Sequence, residues 1–155
     1  MLSERPLNRQ AAMDKELRIV RLAALAYTAN FVAGIATAIR GGYRAEPIGI
    51  RTRIPIAADA IVGNGSALSA PPAMIYFLWK LLRSSAHSRI AKGQLVLLAS
   101  TFLAGAVAEP LSHRILSRGL PKHVKAIGVL NIALPAAMLI GTVKSLVEPE
   151  AAQTL

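Results

Sequence analysis

No cysteine occurs in the 155 residues, which excludes disulfides, thiolate metal sites and cysteine nucleophiles. Charge is scarce as well. Asp, Glu, Lys and Arg make up 17% of the chain, where a soluble domain carries about a quarter. Acidic groups are the scarcest, eight against 18 Lys and Arg. Carboxylate-bridged iron requires several inward Glu and paired Glu-x-x-His motifs, and this chain has none. Gly63-Asn64-Gly65 is too short for a phosphate-binding loop and lacks its lysine. Serine is plentiful, yet no Ser-His-acid set has a spacing that suggests a triad. No catalytic residue, cofactor or metal is therefore expected.

Apolar residues, by contrast, are abundant: 54% of the chain, with a mean hydropathy of +0.46. They fall into four stretches. Residues 22–39 and 126–143 each hold 18 residues without a charge, and 60–79 holds 20. The remaining stretch, 94–108, continues past Glu109 and Pro110 towards residue 116. About 20 mostly apolar residues cross a hydrocarbon core, and Lys and Arg stems at the ends extend the reach. The polar start of the chain lacks the pattern of a signal peptide, so the first stretch reads as a retained helix. Connections are short, with Gly119 and Pro121 as turn residues in the last. The expected fold is an all-α membrane protein, a four-transmembrane-helix antiparallel bundle. It would comprise a polar segment 1–18, the bundle over 19–146, and an acidic, disordered tail 147–155.

Net charge is +10. The basic residues cluster between the apolar stretches, which favours anionic lipid head groups over nucleic acid, at roughly 1 kcal/mol per Lys or Arg near such a surface. Arg40, Arg44, Arg51, Arg53, Lys80, Arg83, Arg89, Arg114, Arg118, Lys122 and Lys125 are the expected head-group contacts. With both termini inside, ten basic residues lie on the cytoplasmic side against eight outside. That slight bias favours cytoplasmic termini in a prokaryotic inner membrane. Small residues along the first, third and fourth stretches suit close helix packing, self-association or docking on other membrane subunits.

Three groups of residues stand out. The second stretch carries Gly63, Asn64 and Gly65, then Pro71 and Pro72 near its midpoint. Each proline removes a backbone donor, so an irregular or kinked segment is expected over 63–72. Such a break at mid-membrane must be buried in protein or line a wet cavity, and transporters use it to hold substrates. An interfacial helix before residue 67 or a plain proline kink are the simpler readings. Asp59, Glu109 and His113 form a second group, a polar or proton site on one membrane face. Glu109 and His113, four apart, share a helical face if Pro110 is tolerated, with Arg51, Arg53, His113 or Arg114 as partners for Glu109. A structural ion pair is the plainer expectation. Finally, Asn30, Asn64 and Asn131 are amides near mid-depth, more suited to interhelical hydrogen bonding than to ligand binding.

Three function classes follow. The leading one is an accessory or scaffold subunit of a larger membrane assembly, such as a lipid transporter or respiratory complex. The alternatives are a homo-oligomeric small transporter using the broken second helix, and a small lipid- or quinone-modifying enzyme with Glu109 and His113 as acid and base.

Overall fold

The computed structural model describes residues 4–46, 53–63, 65–85, 88–115 and 119–147, with side chains from residue 15 onward. Arg51, Asn64, Arg118 and the acidic tail lie outside the described residues. All regular structure within them is helical: α1 Glu4–Gly41, α2 Ile56–Val62, α3 Pro72–Ser84, α4 Arg89–Ala108, α5 Pro110–His113 and α6 Lys122–Val147. Three segments are long and apolar enough to cross a membrane: Lys15–Gly41, Arg89–Ala108 and Lys122–Val147. Only 28%, 28% and 39% of their apolar windows are buried inside the protein. Most of that surface therefore needs a hydrophobic surround, and Leu22, Val32, Leu97 and Ile140 are each more than half exposed. The buried set conversely includes Asn30, Asp59, Lys92, Asn131 and Thr142. This is the polarity pattern of a helical membrane protein.

α6 runs antiparallel to both α1 and α4. Asn30 of α1 bonds Asn131 of α6, and a Cβ at Gly141 of α6 would meet Val20 of α1 at 2.7 Å. On the other flank, Lys92 Nζ of α4 donates to the Ser145 carbonyl of α6 at 3.5 Å. This places a buried cation at the negative end of the α6 dipole. The apolar span of α1 thus begins at the same end of the bundle where α4 begins and α6 ends, here the first end. Gly41, Ala108 and Lys122 lie at the second end.

Of the four expected crossings, the one over residues 60–79 is not one continuous helix; three helices, not four, are long and apolar enough to span a membrane among the described residues. α2 has seven residues and stops at Gly63. The N–H groups of Gly63 and Gly65 both donate to the Asp59 carbonyl, at 3.0 Å each. Gly65 has φ 87°, a left-handed conformation that glycine adopts without strain. Ser66 and Ser69 then exchange backbone hydrogen bonds of 3.0 and 3.1 Å, and their hydroxyls meet at 2.8 Å. Leu68 N–H donates to Ser66 Oγ. These bonds satisfy backbone groups that a helix would otherwise pair.

The proline pair does not kink a helix; it starts one. Pro71 is extended, as the residue before a proline prefers, and Pro72 takes the first helical position, where the missing N–H costs nothing. The resulting α3 has 13 residues, about 20 Å of helix, and ends near the first end. Its Ile75, Leu78 and Leu82 join Val20, Tyr27, Leu95, Phe102 and Met138 in the main core. Trp79 of α3 donates from Nε1 to Thr28 Oγ1 of α1 at 3.0 Å. A smaller cluster of Leu68, Val124 and Ile127 lies towards the second end.

The same proline logic divides the end of α4. Pro110 forces Glu109 out of the helical region to φ −69°, ψ 126°. The chain restarts as the four-residue α5.

Candidate functional site

Because α3 starts only at Pro72, it covers the first-end part of α4 and leaves the C-terminal half of α4 facing the irregular residues 65–71. A cavity of about 480 Å³ occupies that gap, within the range of about 300–1,000 Å³ usual for small-ligand sites. Thr101, Ala104, Gly105 and Ala108 of α4 form one wall, and Ala67, Ala70, Pro71 and Met74 form the other. Tyr27 of α1 and Asn131 of α6 close the back at mid-depth, whereas Ala45 and Glu109 lie at the second end. The lining is mostly apolar, with Ser66, Ser69 and Asn131 supplying polar atoms.

The mid-depth wall is held by an amide bridge. Asn30 Nδ2 donates to Asn131 Oδ1 at 2.8 Å and to the Ile127 carbonyl at 3.2 Å. Asn131 Nδ2 in turn donates to the Leu68 carbonyl at 2.8 Å. Pro135 lies inside α6, one turn beyond Asn131, and withdraws the helical donor from the Asn131 carbonyl. The broken segment and a locally weakened stretch of α6 therefore meet at one depth. Gly34 of α1 makes the approach possible, since any Cβ there would overlap the Leu68 carbonyl.

At the second end the cavity meets a smaller polar vestibule of about 180 Å³. Tyr43, Arg44, Glu46, Leu111 and Arg114 line it, and Ala67 and Glu109 line both spaces. Glu109 Oε1 accepts from the Glu46 N–H at 3.1 Å. Arg44 spends one N–H on the Ile54 carbonyl at 2.9 Å, which ties α1 to the approach to α2. Partial burial pushes the Glu109 carboxyl above the usual carboxylate range. The Glu46 amide opposes that rise and the Glu46 charge adds to it.

The expected polar group is redistributed. Glu109 lies on the cavity, but its hydrogen bond comes from the Glu46 amide rather than from Arg53, His113 or Arg114. It does not share a helical face with His113, because Pro110 interrupts the helix between them, and His113 is exposed. Asp59 is buried on α2 and outside the cavity lining. Among the described residues no three His, Asp or Glu side chains gather to hold a metal. Asn30 and Asn131 meet, and Pro71 lines the cavity while Pro72 opens α3.

Of the expected head-group contacts, Arg40, Arg44, Arg53, Arg114, Lys122 and Lys125 belong to the second end, and Lys80, Arg83 and Arg89 to the first; all but the partly buried Lys125 are exposed. Sequence reasoning missed Ser66, Ser69, Tyr27 and Glu46. The two serines had a signal, a Ser-x-x-Ser placed between paired glycines and paired prolines. Glu46 acts here through its backbone N–H, which carries no residue-type signal. Comparison with protein-family models, curated proteins and solved structures yields no match, so the arrangement is read from its chemistry alone.

Proposed function

We propose that this chain is a small transport protein of a cytoplasmic membrane that holds an amphipathic, largely apolar molecule in the cavity beside its broken second segment. One observation carries the reading. The irregular residues 65–71 line a cavity that reaches from mid-depth to a polar vestibule at one end of the bundle. Irregular backbone is tolerated at membrane depth where it is buried or lines a cavity, and discontinuous helices at mid-membrane recur in transporters. A single narrow chain suits a ligand that moves along the protein–lipid boundary rather than through an enclosed pore. The acid–base enzyme reading loses support, because Glu109 and His113 do not face one another.

The accessory-subunit reading stays as a second proposal. The exposed α4 face of Thr101, Ala104, Gly105 and Ala108 has the small residues that let a neighbouring helix approach closely. Under it, a helix of a larger assembly would fill the space assigned here to a ligand.

The test is transbilayer movement. Proteoliposomes carrying a fluorescent phospholipid in both leaflets are treated with an impermeant reductant, and the fraction bleached is followed in time. The parent chain should accelerate loss of the protected fraction relative to empty liposomes. Gly105→Phe, whose side chain would enter open cavity space, should not. No acceleration by the parent, together with a stable heteromer on gentle extraction, would favour the accessory-subunit reading.

A further inference from the structure

We infer that the cavity and vestibule together form a binding site for one glycerophospholipid, with its phosphate at Arg44 and Arg114 and one acyl chain along α4. This inference rests on the transport reading above and names its substrate class. The two spaces share Ala67 and Glu109 and differ in character: one is walled mostly by Ala, Pro, Met and Phe side chains, the other carries the Arg44 and Arg114 guanidinium groups beside the Glu46 and Glu109 carboxyls. An occupant that satisfies both has an apolar body and a polar head whose phosphate meets the guanidinium groups. Its head lies at the second end and its tail points to mid-depth, the orientation that a lipid of that leaflet already has.

Dimensions agree with this assignment. The α4 wall from Thr101 to Glu109 rises about 12 Å at 1.5 Å per residue. That approaches half of a hydrocarbon core about 30 Å thick, the depth available to one leaflet's chain. Exposed Thr101, Ala104 and Ala108 leave the wall open on one side, where a second acyl chain can remain in the bilayer.

The head-group chemistry favours phosphate. A guanidinium offers five N–H donors in a planar fork that matches phosphate oxygens. Arg44 donates from Nη1 to the Ile54 carbonyl at 2.9 Å and lines the vestibule. Arg114 follows α5 and is exposed. Arg44 lies three residues beyond the end of α1 and Arg114 directly follows α5, so both backbone positions are held next to helix ends.

The experiment measures lipid retention by native mass spectrometry of the full chain in detergent, titrated with phosphatidylglycerol or with diacylglycerol of the same acyl chains. The expected result is saturable binding of one phosphatidylglycerol per chain, stronger than that of diacylglycerol. Arg44→Gln and Arg114→Gln should each weaken phosphatidylglycerol about tenfold, the loss of a charge-assisted contact, and leave diacylglycerol unchanged. Gly105→Phe should weaken both lipids. A Cβ at Gly105 meets no atom within 4 Å, so the side chain starts in open space; Ala104→Leu provides a milder filling of the same space, and unfolding midpoints of both variants check that the fold is kept. Arg114→Lys should restore part of the affinity by charge without the fork. Equal binding of the two lipids and indifference to both arginine variants overturns the phosphate assignment while sparing the cavity reading. Arginine dependence without any effect of Gly105→Phe or Ala104→Leu overturns the placement of the tail. Absence of saturable binding of either lipid by the parent overturns the transport reading itself.

Discussion

Asn131 holds the Leu68 carbonyl at 2.8 Å across the middle of the bundle. In a continuous helix that carbonyl would face Pro72, which has no N–H, so a side-chain amide of α6 supplies a donor that the chain's own helix could not. Asn30 fixes the orientation of that amide by donating to its oxygen at 2.8 Å. Both side chains are buried, at 6% and 7% exposure, so water competes little for the same bonds.

Removing the bridge should loosen the broken segment. Asn131→Leu keeps the branched shape but leaves the Leu68 carbonyl without this donor and the Asn30 amide with only the Ile127 carbonyl. An unsatisfied buried group costs about 1–3 kcal/mol, and interhelical bonds in membranes average near the low side, about 0.6 kcal/mol. The expected loss is therefore about 1–2 kcal/mol, read as a lower midpoint of thermal unfolding in detergent. Asn30→Leu should cost less, since the Asn131 to Leu68 bond survives it. A larger loss for Asn30→Leu than for Asn131→Leu would contradict this ordering.

Gly34 and Gly93 provide a matched pair. A Cβ at Gly34 would overlap the Leu68 carbonyl, whereas one at Gly93 meets nothing within 4 Å. Overlap with backbone cannot be relieved by a rotamer change, so Gly34→Ala should force the break away from α1 and cost about 1–3 kcal/mol. Gly93→Ala should be neutral or stabilising by up to about 1 kcal/mol, from helix propensity alone. Thermal unfolding of the two variants side by side checks the close approach directly.

These two cases also mark what sequence alone can and cannot reveal here. The three membrane-length helices were legible because uncharged length is itself the signal, and the break was legible because two glycines and two prolines occur within one apolar stretch. The mode of the break was not. Paired prolines look the same whether they kink a helix or begin one, and the choice rests on Ser66 and Ser69 closing a turn just before them. Asn30 and Asn131 were visible as polar groups at mid-depth. Asn131 bonds the Leu68 carbonyl and Asn30 the Ile127 carbonyl as well as Asn131, and a backbone carbonyl has no residue type to read. The cavity follows from the shortness of α3, a length that hydropathy cannot give when the flanking residues are apolar as well.

The Glu109 carboxyl, just beyond the end of α4, gives a pH dependence whose direction is fixed. Its folded value lies above the ordinary one, chiefly through burial. Between those two values the folded chain holds a proton that the unfolded chain has released. Stability then falls as pH rises, because it falls wherever the native state binds more protons. The contribution is complete below the ordinary carboxylate range and is lost as pH climbs through the raised value. Glu46, Arg44 and Arg114 face the same vestibule; besides burial, the Glu46 amide lowers the value and the Glu46 charge raises it. Glu109→Gln retains a carbonyl oxygen for the Glu46 N–H and cannot ionise. It should therefore remove this descending limb, and at neutral pH the variant should match or slightly exceed the parent, by less than about 1 kcal/mol for a group partly in contact with solvent. Unfolding midpoints of both proteins, measured from pH 4 to pH 8 in one detergent, decide the matter. A parent that gains stability relative to Glu109→Gln as pH rises would show that the ionised carboxylate is the favoured form and that a cation of the vestibule is its partner.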